Sequence, residues 1–311
     1  MSQSVPENAR HLVLLGPTAS GKSQLAMALA ERRLSRGELV ELITVDSMQV
    51  YRGMNIGTAS PTAEEQRRVK HHLVDVVEPY EEFSVAEFTQ LAQEALHRIE
   101  TDGGRAILVG GTGLYLQALV DNLELPGRFP EVAASLEAEP NTAALYQELA
   151  ELDPDAVLKI EPNNRRRILR ALEVTLGSGR RFSEFGPGLD SFPDTPFLLA
   201  GLRVERPVLS DRIAQRYEQQ MRQGFLGEVQ ALAANPQGIS RTAAQALGYR
   251  ELLSHLAGES TEEEAVSTAV DRTRQFAIRQ IRWFRRDPRI TWFDHSGDPR
   301  TVLDQLDAFW A

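Results

Sequence analysis

The chain has 311 residues, 42% of them apolar and 25% charged, with 34 basic and 44 acidic side chains that sum to a net charge of −10. That is the composition of a folded chain with room for about two domains, and it excludes a disordered polymer. The absence of cysteine excludes disulfides, thiolate nucleophiles and cysteine-ligated metals, and no run approaches the roughly 18 apolar residues of a membrane helix.

Met1 to Glu7 has no basic start followed by an apolar run, so no secretory signal is expected and the reading is cytoplasmic. His11 to Leu15 predicts a buried strand, Gly16 to Gly21 a turn, and Lys22 to Arg33 a helix with Leu25, Ala28, Leu29 and Arg32 on one face. Leu39 to Val45 and Leu73 to Val77 predict two more strands. Ser84 and Glu87 form a capping box for a helix running to about Glu100. Arg105 to Val109 is another strand, closed by Gly110-Gly111-Thr112-Gly113. Strands alternating with helices imply an α/β fold with a parallel sheet, whose ligands bind at the carboxyl ends of the strands.

From 122 to 196 the pattern turns helical and is broken by prolines and glycines. Helix starts are expected at Asp153-Pro154 and Pro162, a helix over Asn163 to Gly177, and a loop from Arg180 to Pro196 that includes Pro187. This middle reads as a helical insertion domain, leaving a core of 1–121 plus 197–311. Phe197 to Val204 resumes a strand. Helices follow at about 207–223, 242–257 and 260–286, the last with a capping box at Ser260 and Glu263. A last strand is expected over Ile290 to Phe293. His71 and His72 lack partners at metal spacing.

Gly16-Pro17-Thr18-Ala19-Ser20-Gly21-Lys22-Ser23 fits the phosphate-loop pattern G-x-x-x-x-G-K-[ST], between a strand and a helix as that motif requires. Its backbone amides and the helix N-terminus would cradle phosphate oxygens, Lys22 would add a charge, and the Ser23 hydroxyl would meet Mg²⁺. The same loop suits a nucleotide such as ATP. The strand ending at Val109 offers no carboxylate. Asp46 does, after the strand ending at Val45, and its options at this point are a turn cap, a metal partner or a general base.

Charge is unevenly placed. Only Lys22, Lys70 and Lys159 are lysines, and the other 31 basic residues are arginines. Residues 165–181 carry six Arg and one Glu, and residues 272–289 carry seven Arg and one Asp. Taken together these two segments hold +11, so the rest of the chain sums to −21. Solvated helix faces and a phosphate-rich partner both explain such segments. Phe276, Trp283 and Phe284, spaced for one helix face, are expected in the core.

The stretch from Asp46-Ser47-Met48-Gln49-Val50-Tyr51-Arg52-Gly53 to Gly57-Thr58-Ala59, beside this phosphate loop, resembles the tRNA dimethylallyltransferase (isopentenyltransferase) family, in its bacterial form. Further matches are Gly110 to Tyr115, Arg170 to Val174, Gly224-Phe225, Gln245 to Glu251, and Thr273 to Gln280, collinear over about residues 11–294. The resemblance implies a P-loop fold and transfer of a dimethylallyl group from dimethylallyl diphosphate to the exocyclic amine of the adenine 3′ of the anticodon, in tRNAs reading codons that begin with U. It implies that Thr18 to Ser23 bind the diphosphate, that Asp46 receives a proton or hydrogen bond from the amine, and that Ser47, Met48 and Gln49 surround a flipped adenine. Thr112 and the segment Arg166-Arg167-Ile168-Leu169-Arg170 would contact tRNA. The leaving diphosphate needs further positive charge, and Arg216 is the choice from its helix, completing a catalytic set with Asp46 and Thr18.

Two positions depart from the family pattern: Arg166 stands where Gln is frequent, and Ile278 where Lys is common. The cysteine-free chain is expected to lack the zinc-finger extension of eukaryotic relatives and to act as a monomer, without a membrane. Three rival readings stay open: a P-loop small-molecule kinase, a non-catalytic RNA-binding protein, and a prenyltransferase acting on free adenosine nucleotides. The Arg-rich segments and the intact Lys22, Ser23 and Asp46 stand against them.

Overall fold

The computed structural model describes residues 11–186 and 188–311; the N-terminal stretch read for a signal and Pro187 lie outside the described residues. The first unit comprises the chain up to Asp121 together with Pro193–Ala311, and the second spans Asn122–Phe192.

In the first unit the apolar runs become the strands of a parallel sheet: β1 (His11–Leu15), β2 (Val40–Val45), β3 (His71–His72), β4 (Arg105–Gly110), β5 (Phe197–Arg203) and β6 (Thr291–Asp294). Their order is β3-β2-β4-β1-β5-β6, every pairing parallel. β1 and β2 are buried at every position, as unbroken apolar strands covered on both faces require. One face packs α1 (Lys22–Leu34) and α13 (Leu303–Phe309), with Trp310 fully buried there. The other receives α3 (Val85–Thr101), α4 (Gly113–Val120), α9 (Arg206–Arg222), α10 (Phe225–Ala233), α11 (Tyr249–Leu256) and α12 (Glu262–Phe284). A short helix, α2 (Ala63–Arg68), precedes β3. No helix among the described residues is long and apolar enough to cross a membrane.

The register fixes the site. Val45 lies opposite Gly110, and Gly110 lies opposite Leu15. The residues that follow, Asp46, Gly111 and Gly16, therefore leave three neighbouring strands at one level. Gly110 must be glycine here, since a Cβ would sit 2.0 Å from the Val45 carbonyl oxygen.

The second unit is helical: α5 (Pro130–Glu137), α6 (Thr142–Leu152), α7 (Pro154–Val157) and α8 (Arg165–Ser178), around a core of Leu136, Leu145, Leu149, Ile160, Ile168 and Leu172.

Several expectations are corrected. The strand expected over Leu73 to Val77 stops at His72, because Leu73 and Asp75 take positive φ values of 62° and 54°. The chain then turns to hydrogen-bond Gln49 and Val50 instead. Pro162 does not open a helix. Asn164 caps α8, its side chain accepting from the Arg167 amide. The expected helix over 242–257 begins only at Tyr249, after a short turn at Ala243–Gln245. The capping box of α12 is Thr261 with Glu264, one residue later than expected.

Candidate active site

The phosphate loop runs from β1 into α1. Ala19 has φ 61°, a left-handed conformation that costs an L residue on the order of 1–2 kcal/mol, and Gly21, at φ 88°, supplies the turn into the helix. A Cβ on Gly21 would also lie 2.6 Å from Pro299. Lys22 Nζ folds back to donate to the Pro17 carbonyl at 2.9 Å. Burial pushes the Lys22 ammonium down to about 8; the Asp46 carboxylate opposes this and Arg216 adds to it. Asp46 acts on both cations, on the Arg216 guanidinium as well.

Two arginines one turn apart on α9 reach this loop. Arg216 Nη1 donates to Thr18 Oγ1 at 2.8 Å, and Arg212 Nη1 donates to the Ala19 carbonyl at 3.3 Å. Arg212 also holds the Gly297 carbonyl. His295 Nε2 lies 2.9 Å from the Ser20 carbonyl oxygen. The buried Ser20 hydroxyl has no hydrogen-bond partner among the described residues.

At the end of β2, two strands over from β1, Asp46 Oδ1 accepts from the Met48 amide at 2.9 Å, closing a turn over 46–48. The Ser47 amide donates to Thr112 Oγ1 at 3.3 Å. Gln49 Nε2 donates to the Thr58 carbonyl at 3.1 Å, which ties the loop 46–59 to itself. The middle of that loop is held by Glu228 on α10. Its carboxylate accepts from the amides of Asn55, Ile56 and Gly57 at 2.9, 2.8 and 3.1 Å, and from the Tyr249 hydroxyl at 2.6 Å.

Thus Thr18, Lys22, Asp46, Ser47, Thr112 and Arg216 are brought together by the sheet and α9. Met48 and Gln49 lie half-buried on the same loop. The phosphate loop with a carboxylate beside it defines a fold class of enzymes that bind phosphorylated ligands at the carboxyl edge of a parallel sheet.

Ser23 stands exposed at the start of α1. Among the described residues no group of three His, Asp or Glu side chains could hold a metal. This donor set fits a hard cation that takes most of its ligands from phosphate oxygens and water.

In the second unit Arg166 and Arg167 are exposed and without a partner among the described residues. Ile168 is fully buried in the core of that unit, so its side chain cannot meet a ligand. Leu169 packs against the same core. Arg170 is committed to Glu173 at 2.8 Å and to the Pro126 carbonyl at 2.8 Å. Within 166–170, Arg166 and Arg167 are the exposed side chains. Arg279 and Arg282 on α12 and Arg285 just after it are exposed, while Phe284 is in the core and Trp283 packs against it. Arg286 lies over the Trp283 ring at 4.2 Å. Ile278 is half-buried on α12.

Four side chains at the site escaped assignment from sequence: Arg212, Glu228, Gln280 and His295. Gln280 left a trace, as a polar residue in the stripe Ala265, Ala269, Thr273, Ala277, Gln280 and Phe284 that α12 buries. Its side chain accepts from the Thr18 amide at 2.8 Å and donates to the Gly111 carbonyl at 2.8 Å.

Comparison with known proteins gives the family. The family described as IPP transferase matches residues 49–287. A protein of Streptomyces avermitilis named tRNA dimethylallyltransferase is 45% identical over 306 residues, covering 97% of this chain and 96% of its own. The full-length tRNA isopentenylpyrophosphate transferase of Bacillus halodurans superposes with a TM-score of 0.70 at 37% identity, covering 97% of this chain and 95% of its own. A eukaryotic dimethylallyltransferase described as acting on tRNA gives a TM-score of 0.78 at 26% identity, covering 96% of this chain and 77% of its own. The chain belongs to the IPP transferase family.

Proposed function

We propose that this chain is a prenyltransferase that moves the dimethylallyl group of dimethylallyl diphosphate to the N6 amine of the adenine 3′-adjacent to the anticodon, in tRNAs reading codons that begin with U. The observation that carries this reading is the meeting of the Thr18–Arg216 pair on the phosphate loop with a carboxylate, Asp46, on the next strand end but one. The loop and its arginine address a leaving diphosphate, and the carboxylate addresses a nucleophile.

In the transfer, the bond from N6 to the allylic carbon forms as the carbon–oxygen bond to diphosphate breaks. Diphosphate leaves with the electron pair, and the N6 proton goes to the Asp46 carboxylate. Loop amides, Lys22 and Arg216 place positive charge where negative charge develops. Mg²⁺, held by Ser23 and diphosphate oxygens, would neutralise the leaving group further. The amine is a weak nucleophile, so holding both reactants in line supplies much of the rate.

The adenine must leave its stack, at a cost of about a few kcal/mol, and Ser47, Met48 and Gln49 would hold it. Arg166 and Arg167 on the helical insertion (122–196), and Arg279, Arg282 and Arg285 at the C-terminal end of α12 and just beyond it, offer contacts to the tRNA backbone. The enzyme works as a cytoplasmic monomer.

Incubation with Mg²⁺, labelled dimethylallyl diphosphate, ATP, unmodified tRNA and AMP tests this reading. Label in tRNA is expected. Label only in AMP would assign a free nucleotide as acceptor, and consumption of ATP without prenyl transfer would make the protein a kinase.

A further inference from the structure

Gln280 joins the two halves of the site. It is 7% exposed, and both ends of its amide are used. The Thr18 amide is only a donor and the Gly111 carbonyl only an acceptor, so the amide can sit in just one orientation. The seat is cut for this side chain: a Cβ on Gly111 would lie 2.3 Å from Gln280 Nε2. With Gln280 seated there, Gly111 has no room for a side chain.

The consequence is a continuous set of contacts across the site. Arg216 holds the Thr18 hydroxyl, Gln280 holds the Thr18 amide, and the same side chain holds Gly111. The next residue, Thr112, holds the Ser47 amide, and Ser47 adjoins Asp46. The Thr18 N–H is occupied by Gln280, which leaves the amides further along the loop to face a diphosphate. The strand register sets the height of the two loops but not their spacing at the tips. The Gln280 amide does that.

We propose that Gln280 is a positioning residue for group transfer, fixing Thr18 on the leaving-group side against Asp46 on the nucleophile side. The proposal rests on the prenyl-transfer reading above. Displacement of reacting groups by about 1 Å can cost on the order of a hundredfold in rate while leaving each group's own binding contacts in place.

The test uses the full chain with Gln280→Glu, which keeps an acceptor for Thr18 but loses the donor to Gly111, and with Gln280→Met, which loses both. Single-turnover transfer to tRNA is expected to fall about 30-fold or more in each variant. Dissociation constants for inorganic pyrophosphate and for tRNA should stay within about threefold of the parent. Gly111→Ala displaces the same amide from its other end and carries the same expectation if the Gln280 variants do not fold. Single-turnover rates within threefold of the parent, or a loss expressed wholly as weaker pyrophosphate or tRNA binding, would overturn the proposal. A parent protein that binds pyrophosphate but never labels tRNA would instead overturn the functional reading.

Discussion

Lys22 is a half-buried cation beside a second cation, and this makes diphosphate binding depend on pH in a defined direction. Its displacement from the ordinary 10.5 to about 8 corresponds to ~3 kcal/mol of disfavoured charge in the free protein. A bound diphosphate supplies the missing counter-charge and returns the ammonium toward or above its ordinary range. Above pH 8 the free protein has lost this proton and the complex keeps it, so binding must take it up. Affinity is therefore expected to be nearly flat from pH 6 to 7.5, then to weaken by about tenfold between pH 7 and pH 9. Pyrophosphate titrated calorimetrically across this range is the assay, with Lys22→Arg as the reference, because guanidinium stays charged throughout. The ratio of the two affinities cancels the ionisation of pyrophosphate itself. A constant ratio from pH 7 to pH 9 would mean that Lys22 keeps its proton in the free protein throughout that range.

Other substitutions test other parts. Asp46→Ala should bind tRNA as the parent does while single-turnover transfer falls about 10²–10⁴-fold, the usual worth of a positioned base. Arg166→Ala with Arg167→Ala should weaken tRNA binding and flatten its logarithmic salt dependence by about 1 to 2, leaving pyrophosphate affinity unchanged. Glu228→Ala leaves three amides and the Tyr249 hydroxyl without their acceptor, and should cost on the order of 3 kcal/mol in denaturant unfolding. Trp310→Ala empties a fully buried site lying between Arg33 and Arg105, at 5.2 and 4.3 Å from the ring, and should cost about 3–5 kcal/mol by the same measure.

The phosphate loop, Asp46 and the central strands could be read from the chain because local rules govern them. Unbroken apolar runs mark strands covered on both faces, and the glycines of the loop are required by its own backbone. What escaped depends on distant partners. Leu73 and Asp75 look like strand residues, yet the loop at Gln49–Val50 draws their segment into a turn. The helix α4 was hidden because it is buried nearly all round, so its sequence shows no polar face to betray the period. Within the arginine-rich segment 165–181, composition could not separate Arg166 and Arg167, which have no partner among the described residues, from Arg170, which is paired inside its own unit. Arg216 could be proposed from the chemistry of a leaving diphosphate. Gln280 could not, because its two partners lie 262 and 169 residues away.

Whether one site joins a diphosphate leaving group to an adenine amine can be read from nucleoside mass spectrometry of tRNA after the reaction. With Mg²⁺ and dimethylallyl diphosphate, the parent protein should place a single dimethylallyl group on N6 of the adenine next to the anticodon, and Asp46→Ala should place almost none. A prenyl group at another position, or equal modification by both proteins, would contradict a site of that kind.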